Sequence, residues 1–531
     1  MAGNNFKGTL NLLRLYLRRD RFILPVWILL PLLVIMGQIS FIESMPDWQK
    51  FMAELSANPL TNAFLGPIVP LSKEGAVLWR GMLQASIVVM IGSSFTAIRH
   101  TRSDEEYGRY ELIYGNGKGR YASITAAIAI SFVGSFISGI FVFIMLNISG
   151  FSFSGSLLAG LTLCAVGLLF TGIGVLISQI FQDSGSARGI VFGLYFLTMV
   201  PMMINNTKGG NTFLVWLVPE AWFRITSPYG ENNFSPLLIF IVLSVIPIVF
   251  AYYLLDNRDL GSGIFKEKLG PEDSVELKSP LALSFRQHKK TIIIWCLGMV
   301  FIGGAIGFIA PNISENISEM LMKMNSWGEA MSKLGNREGF IAVTIYMLGL
   351  MGGTSVYGIA TVLNLKKEES ENYAEIMLAY PVSRIRWMSS YLIMAYAGST
   401  IILLVLGAAV GLGWGYSTGD MSLVYKAIVM GLSKIPSTWV IIGIVALLYG
   451  WLPRASAVLS WVFLGLFIVI EMFWEAGIVG WSAMKLTPFS YAHYSIPINE
   501  LSVLSLSLLV LLSIFLTFVG YIGFKRRSIK L

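Results

Sequence analysis

Polar and apolar residues are arranged in long blocks along this chain, not in a short repeating rhythm. Twelve apolar stretches stand out, with approximate limits 22–42, 78–98, 122–146, 155–181, 188–205, 235–255, 291–310, 340–363, 388–412, 425–450, 455–474 and 502–524. A helix of about 20 apolar residues crosses the hydrocarbon of a bilayer. The pattern therefore predicts an all-α polytopic membrane protein with twelve spans. Met1 to Arg21 is basic and precedes the first apolar run. That run is too long for a signal-peptide core and no small-residue cleavage site follows it, so it reads as a retained span. Before it, Phe6, Leu10, Leu13 and Leu17 form an apolar stripe among Lys7, Arg14, Arg18 and Arg21. This predicts an amphipathic helix over 4–21 lying in the membrane interface.

Two polar blocks interrupt the apolar pattern at equivalent places, between the second and third spans and between the eighth and ninth. They are TRSDEEYGRYELIYGNGKGRY, Thr101 to Tyr121, and LKKEESENYAEIMLAYPVSRIRW, Leu365 to Trp387. In the first, Ser103 and Glu106 have the spacing of a capping box. Asp104, Glu105 and Glu106 fill the first turn, where the helix dipole favours acids. Glu105 and Arg109 are spaced as an i,i+4 ion pair, and Gly115 is a stop signal. The expected helix covers about 103–115. In the second block, Pro381 limits the helix to about 365–380. Glu371 and Glu375 there form a like-charge i,i+4 pair, which suits a partner outside the chain better than an isolated helix.

The polar positions repeat along the chain. Arg18 and Arg286, and Trp27 and Trp295, are 268 residues apart. Glu105 and Glu369, Glu111 and Glu375, and Arg120 and Arg384 are each 264 apart, and Pro219 and Pro488 are 269 apart. Two six-span halves follow, 1–255 and 291–531, joined by an inner linker with a second lead-in helix, 256–290. Six crossings return the chain to its starting side, so the repeat is parallel.

Composition fits the bilayer: 55% of the 531 residues are hydrophobic and only 13% charged, against about 25% charged in a soluble domain. Charge adds orientation. With the N-terminus inside, 27 of the 38 Lys and Arg fall on the inner side but only 16 of the 30 acids. This predicts both termini in the cytoplasm of a plasma-membrane protein. The basic balance is then a topology signal and calls for no nucleic acid. Cys164 and Cys296 both lie in apolar runs, which argues against a disulfide framework. Gly117-Lys118 is followed by Gly119, so no Walker A motif is formed. His100, His288 and His493 are far apart, and no metal site is expected. The chain reads as a transporter rather than an enzyme.

Charges inside spans are costly and point to function. Lys434 falls in the outer half of the tenth span, and Glu471 and Glu475 at the outer end of the eleventh. They are candidates for a substrate path or gate, with an ion pair between the spans as one form. Otherwise Lys434 snorkels and the acids sit at headgroup level. The connections 202–234 and 475–500 are too apolar for plain outer loops, and Trp216, Trp222, Trp474 and Trp481 suggest interfacial depth.

The inner polar block resembles the inner-loop motif of type-2 ABC exporter permeases, the polyketide-antibiotic and tetronasin exporters. The matching residues are Arg102, Glu105 and Glu106, Gly108 and Arg109, Glu111, and Arg120. The second copy matches through Glu368, Glu369, Glu375 and the YPVSR turn ending at Arg384; Asn257 to Pro271 resembles the family's central linker. The chain departs from the motif at Gly117-Lys118 in the first turn and at Asn372-Tyr373 in place of Gly-Arg. The resemblance implies that these residues, with Glu371, form coupling helices docked on two copies of a separately encoded ATPase that binds ATP and Mg. It also implies a lipophilic substrate such as an antibiotic, exported as the two halves rock. The alternative is an ion-coupled secondary transporter of the major facilitator type, which shares the 6+6 layout. It usually has a short basic connection between its second and third spans, unlike the acidic block here.

Overall fold

The structure is a computed structural model that describes residues 5–43, 48–57, 62, 65–68, 70–109, 118–209, 212–259, 261–264, 277–321, 336–475, 479–496 and 500–528. Every regular element among them is helical. The chain divides into two compact units, Met1–Gly270 and Pro271–Leu531.

The first unit holds α1 (Thr9–Arg19), α2 (Ile23–Glu43), α3 (Trp48–Ala57), α4 (Lys73–His100), α5 (Arg102–Glu106), α6 (Ala122–Ile148), α7 (Phe153–Ile180), α8 (Ser184–Thr207), α9 (Trp222–Thr226) and α10 (Pro236–Asp256). The second holds α11 (Pro280–Leu321), α12 (Asn336–Thr344), a π-helical segment (Ile345–Thr354), α13 (Ser355–Ser370), α14 (Tyr373–Ala379), α15 (Arg384–Thr418), α16 (Ser422–Ser433), α17 (Ile435–Trp451), α18 (Ser456–Glu475), α19 (Trp481–Met484) and α20 (Val503–Arg526). Among the described residues, eleven helical stretches are long and apolar enough to cross a membrane. They coincide with eleven of the twelve runs read from the sequence, and α18 covers the remaining run, 455–474.

The spans pair in the same order within each unit. Span 1 packs on span 3, span 2 on span 4, span 3 on span 4, and span 4 on span 6. Small residues permit the closest approaches, since lipid tails offer no hydrophobic drive between helices and packing must supply the attraction. In the first unit Gly139 of α6 meets Gly160 of α7, where a Cβ on either would lie 2.5 Å from the other's carbonyl oxygen. In the second, Gly450 of α17 lies against the backbone of Gly520 in α20.

The lead-in segments differ from expectation. The first is helical over Thr9–Arg19 rather than 4–21. Ahead of it, the carbonyls of Asn5 and Lys7 accept from the Tyr121 and Gly119 amides. Leu12 and Tyr16 enter the core, while Phe6, Leu10 and Leu17 are exposed. The helix thus has a protein-facing side that the stripe did not reveal. The second lead-in runs without a break into the seventh span as α11.

The described parts of both apolar connections, 202–234 and 475–500, pack into their units and include short helices. The first contains 3-10 turns Phe213–Leu217 and Pro219–Ala221, with Val218, Trp222 and Phe223 buried. The second contains α19 and a 3-10 turn Pro488–Ala492, with Met484 and Phe489 buried. Pro219 and Pro488, matched in the sequence, each open a 3-10 turn. A proline suits that place because its missing N–H has no partner there.

Candidate functional site: repeated clamps and a buried outer cluster

At the end of the first unit that carries the acidic block, α5 follows α4 after a kink at Thr101. The expected capping box does not form. Ser103 instead accepts a hydrogen bond from Arg188 (3.0 Å), and Glu106 accepts from the Ser184 amide (3.0 Å). The expected Glu105–Arg109 pair is also replaced. Arg109 meets Asp104 at 3.2 Å. Glu105 turns inward and is gripped by Arg258 through two bonds, 2.5 and 2.8 Å, with Arg102 at 2.9 Å. All three side chains are at most 4% exposed. Arg258 also donates to Gln179 at the end of α7 (2.9 Å), and Arg102 to the Gly261 carbonyl (2.8 Å). A bidentate, desolvated arginine–carboxylate contact fixes orientation as well as adding energy. It ties the segment after span 2 to the segment after span 6.

The second unit builds the same clamp from the matching residues. Glu369 is held by Arg527 through two bonds, 2.8 and 2.6 Å, and accepts from Tyr449 near the end of α17 (2.9 Å). The closing arginines are equivalent too. Arg120 donates to the carbonyls of Leu255 (2.6 Å) and Arg258 (3.0 Å), and Arg384 to that of Arg527 (2.6 Å). Each thus caps the orphan carbonyls past the sixth span of its own unit, the groups a helix end leaves unsatisfied.

The second polar block is not one helix over 365–380. Span 2 continues to Ser370 as α13, carrying Glu368 and Glu369. The chain then turns at Asn372, φ 64°, into the separate helix α14 with Glu375 in its first turn. Gly108 holds φ 66° at the equivalent place. The Gly-to-Asn departure preserves the turn, since Gly adopts this left-handed conformation freely and Asn tolerates it. Helix α14 presents Tyr373 (51% exposed) and Ile376 (59%), followed by Tyr380 (65%). Glu371 is half-buried and lies 3.8 Å from Lys367. Glu111 lies outside the described residues.

A further matched pair, invisible in the sequence, ties each lead-in to span 2. Buried Asp20 contacts His100 (2.7 Å) and Arg99 (3.3 Å), and Arg19 bonds Asp104 at 2.8 Å. In the second unit His288 meets Asn364 (2.9 Å) and Gln287 meets Glu368 (3.1 Å). These positions stand at the same offsets, 268 and 264. Burial by itself would raise the Asp20 carboxyl. The hydrogen bond and charge of His100, with Arg99 and Arg19, outweigh it and hold the group below its ordinary value of 3.8.

At the other end of the second unit, the expected Lys434–Glu471 ion pair does not form. Glu471 accepts from Tyr346 (2.6 Å) and bonds His493 (2.8 Å). Lys434 closes α16 and donates to the Ala492 carbonyl at 2.6 Å, with its ammonium 5.9 Å from the Tyr346 ring centre. Both charged groups are buried. Trp474, Trp481 and Tyr494 surround the His493 ring. Tyr346 comes from the π-helical segment, a form often found at functional sites. Nothing is described of the Glu475 side chain. In the sequence His493 stands alone, and the aromatic density from Trp474 to Tyr494 is the signal that marks its surroundings.

These features define a polytopic, all-helical membrane protein built from two units with matched polar contacts. Residues 277–525 match the family model described as multidrug efflux system permease Rv1217c, C-terminal domain. The chain is 29% identical over 545 residues to the multidrug efflux system permease protein Rv1217c of Mycobacterium tuberculosis (strain ATCC 25618 / H37Rv), covering 99% of this chain and 96% of that protein.

Proposed function

We propose that the chain is the membrane-spanning permease of an ATP-driven exporter of lipophilic compounds, multidrug or antibiotic in class, powered by two copies of a separate ATPase that binds ATP and Mg. The similarity to a multidrug efflux permease supports the export role. The single observation that carries the coupling is α14, a short helix set off from its span by the Asn372 turn, with apolar side chains exposed beyond the clamp. Glu105 and Glu369 do not face the motor in this reading. They pass its movement on, because each clamp ties an inner segment to the last span of its own unit. Arg102, Arg120 and Arg384 serve the same transmission, while Glu106, Arg109, Glu368, Glu371 and Glu375 lie in or beside the docking segments, to which the resemblance also assigns Glu111.

A clean test leaves the clamps intact. Tyr373→Ser with Ile376→Asp should remove an ATPase that co-purifies with the wild-type permease, without changing the permease's thermal unfolding. Retention of the ATPase at wild-type stoichiometry would remove α14 as its docking element.

The second reading, an ion-coupled transporter, draws on the buried Glu471–His493 contact. Such a pair is what a proton-coupled carrier would use. Under the first reading the same cluster, with Lys434, braces the outer gate.

A further inference from the structure

A cavity of about 720 Å³ opens in the first unit, between the start of α2, the second half of α4 and the start of α8. Most of its wall is apolar: Val26 and Leu30 from α2, and Val88 and Phe95 from α4. Its other end carries three guanidinium groups, Arg99, Arg109 and Arg188, and among the described residues no acidic side chain lines it. Arg99 and Arg109 meet Asp20 and Asp104, but those acids are shared with His100 and Arg19. Arg188 is half-buried, and among the described residues its contacts are the Ser103 hydroxyl and the Phe95 ring, not an acid. Trp27, packed over Gly92, adds a buried indole N–H with no acceptor among the described residues.

A deep apolar wall ending in three arginines, two of which share their acids with Arg19 and His100, matches a molecule with an apolar body and an anionic head. Arginine suits carboxylate and phosphate oxygens because its fork is planar and always charged. The arginines are not explained by the repeat. At the 264 offset Leu363 stands opposite Arg99, and Tyr373 opposite Arg109. The second unit does not repeat these two charges, and Arg188 makes no ion pair among the described residues.

We propose that this cavity binds an acidic amphiphile, its anionic group held by Arg99, Arg109 and Arg188 and its apolar part lying along α2 and α4. As a class of transported substrate, this rests on the permease reading. As a binding site it does not.

The test uses the full chain in phosphatidylcholine nanodiscs, without ATPase or ATP, titrated with dansyl-undecanoic acid and with its methyl ester. The acid should bind saturably and the ester about tenfold more weakly or worse. Arg188→Gln should weaken the acid about tenfold, as expected for one charge-assisted bond, and leave the ester unchanged. Arg188 forms no ion pair among the described residues, so this variant keeps the fold. Val26→Trp should reduce binding of both by filling the apolar wall. Added phosphatidylglycerol that displaces the acid identifies a membrane lipid as occupant; saturable binding of the acid in its presence identifies a free amphiphile. Equal affinity for acid and ester, or an Arg188→Gln variant that binds the acid like wild type, overturns the proposal. Either failure leaves ATP-driven export untouched, and loss of the ATPase through α14 leaves this site untouched.

Discussion

Asp20 shows how much one buried charge can do. It joins the lead-in helix to span 2 through His100 and Arg99. Because its folded value lies below the unfolded one, its contribution is present above the unfolded value and is lost as pH falls through the folded value. Asp20→Asn should therefore lower stability by about 3–5 kcal/mol at neutral pH, the usual result of leaving a buried partner charge unmatched. The gap between variant and wild type, followed by thermal unfolding, should narrow only below about pH 4. A gap constant down to pH 3 would mean the carboxylate is not what stabilises the junction. At the buried Lys434–Glu471–His493 cluster, Lys434→Met should destabilise the protein through loss of the Ala492 contact. Adding Glu471→Gln should not rescue it, because Glu471 is held by Tyr346 and His493. Rescue in a double-mutant cycle would restore the direct pair expected from the sequence.

Among elements, the clamps and glycine contacts set the architecture. Arg527→Ala should destabilise by about 1.5–3 kcal/mol, the worth of hydrogen bonds to a charged group. With Glu369→Gln already present it should cost much less, a non-additivity that thermal melts of the four proteins would measure. Gly450→Leu places a side chain against the Gly520 backbone and should sharply reduce folded yield in gel filtration. The same change at Gly465, with nothing within 4 Å of a Cβ, should be tolerated.

The spans were legible because bilayer thickness imposes a length that hydropathy reveals directly. The matched positions were legible because Glu105 and Glu369, and Arg120 and Arg384, recur at one offset. Their roles were not. Local spacing offered Arg109 as the partner of Glu105, whereas Arg258, 153 residues away, holds it. An i,i+4 contact on a surface cannot compete with a desolvated bidentate one. The break at Asn372 was hidden because only a left-handed backbone, not residue type alone, ends the helix there. The Glu471–His493 contact joins residues 22 apart across an irregular segment, where periodicity has nothing to say.

At the scale of the whole molecule, the matched clamps and the matched helix-packing order in both units are what a proposed six-span plan used twice would require. In the orientation we propose from the charge bias, the clamps and both termini lie inside. In a background with Cys164 and Cys296 replaced by serine, cysteines at Lys208 and Lys485 should react with an impermeant thiol reagent in intact cells, and one at Arg109 only after permeabilisation. Labelling of position 109 in intact cells would invert this orientation. Transport into inverted membrane vesicles tests the proposed ATP-driven export most directly. With the permease and its ATPase present, a lipophilic drug should accumulate on adding ATP and Mg, persist with a protonophore, and fail with a non-hydrolysable nucleotide. Accumulation driven by a pH gradient without ATP would contradict it and assign the work to Glu471 and His493.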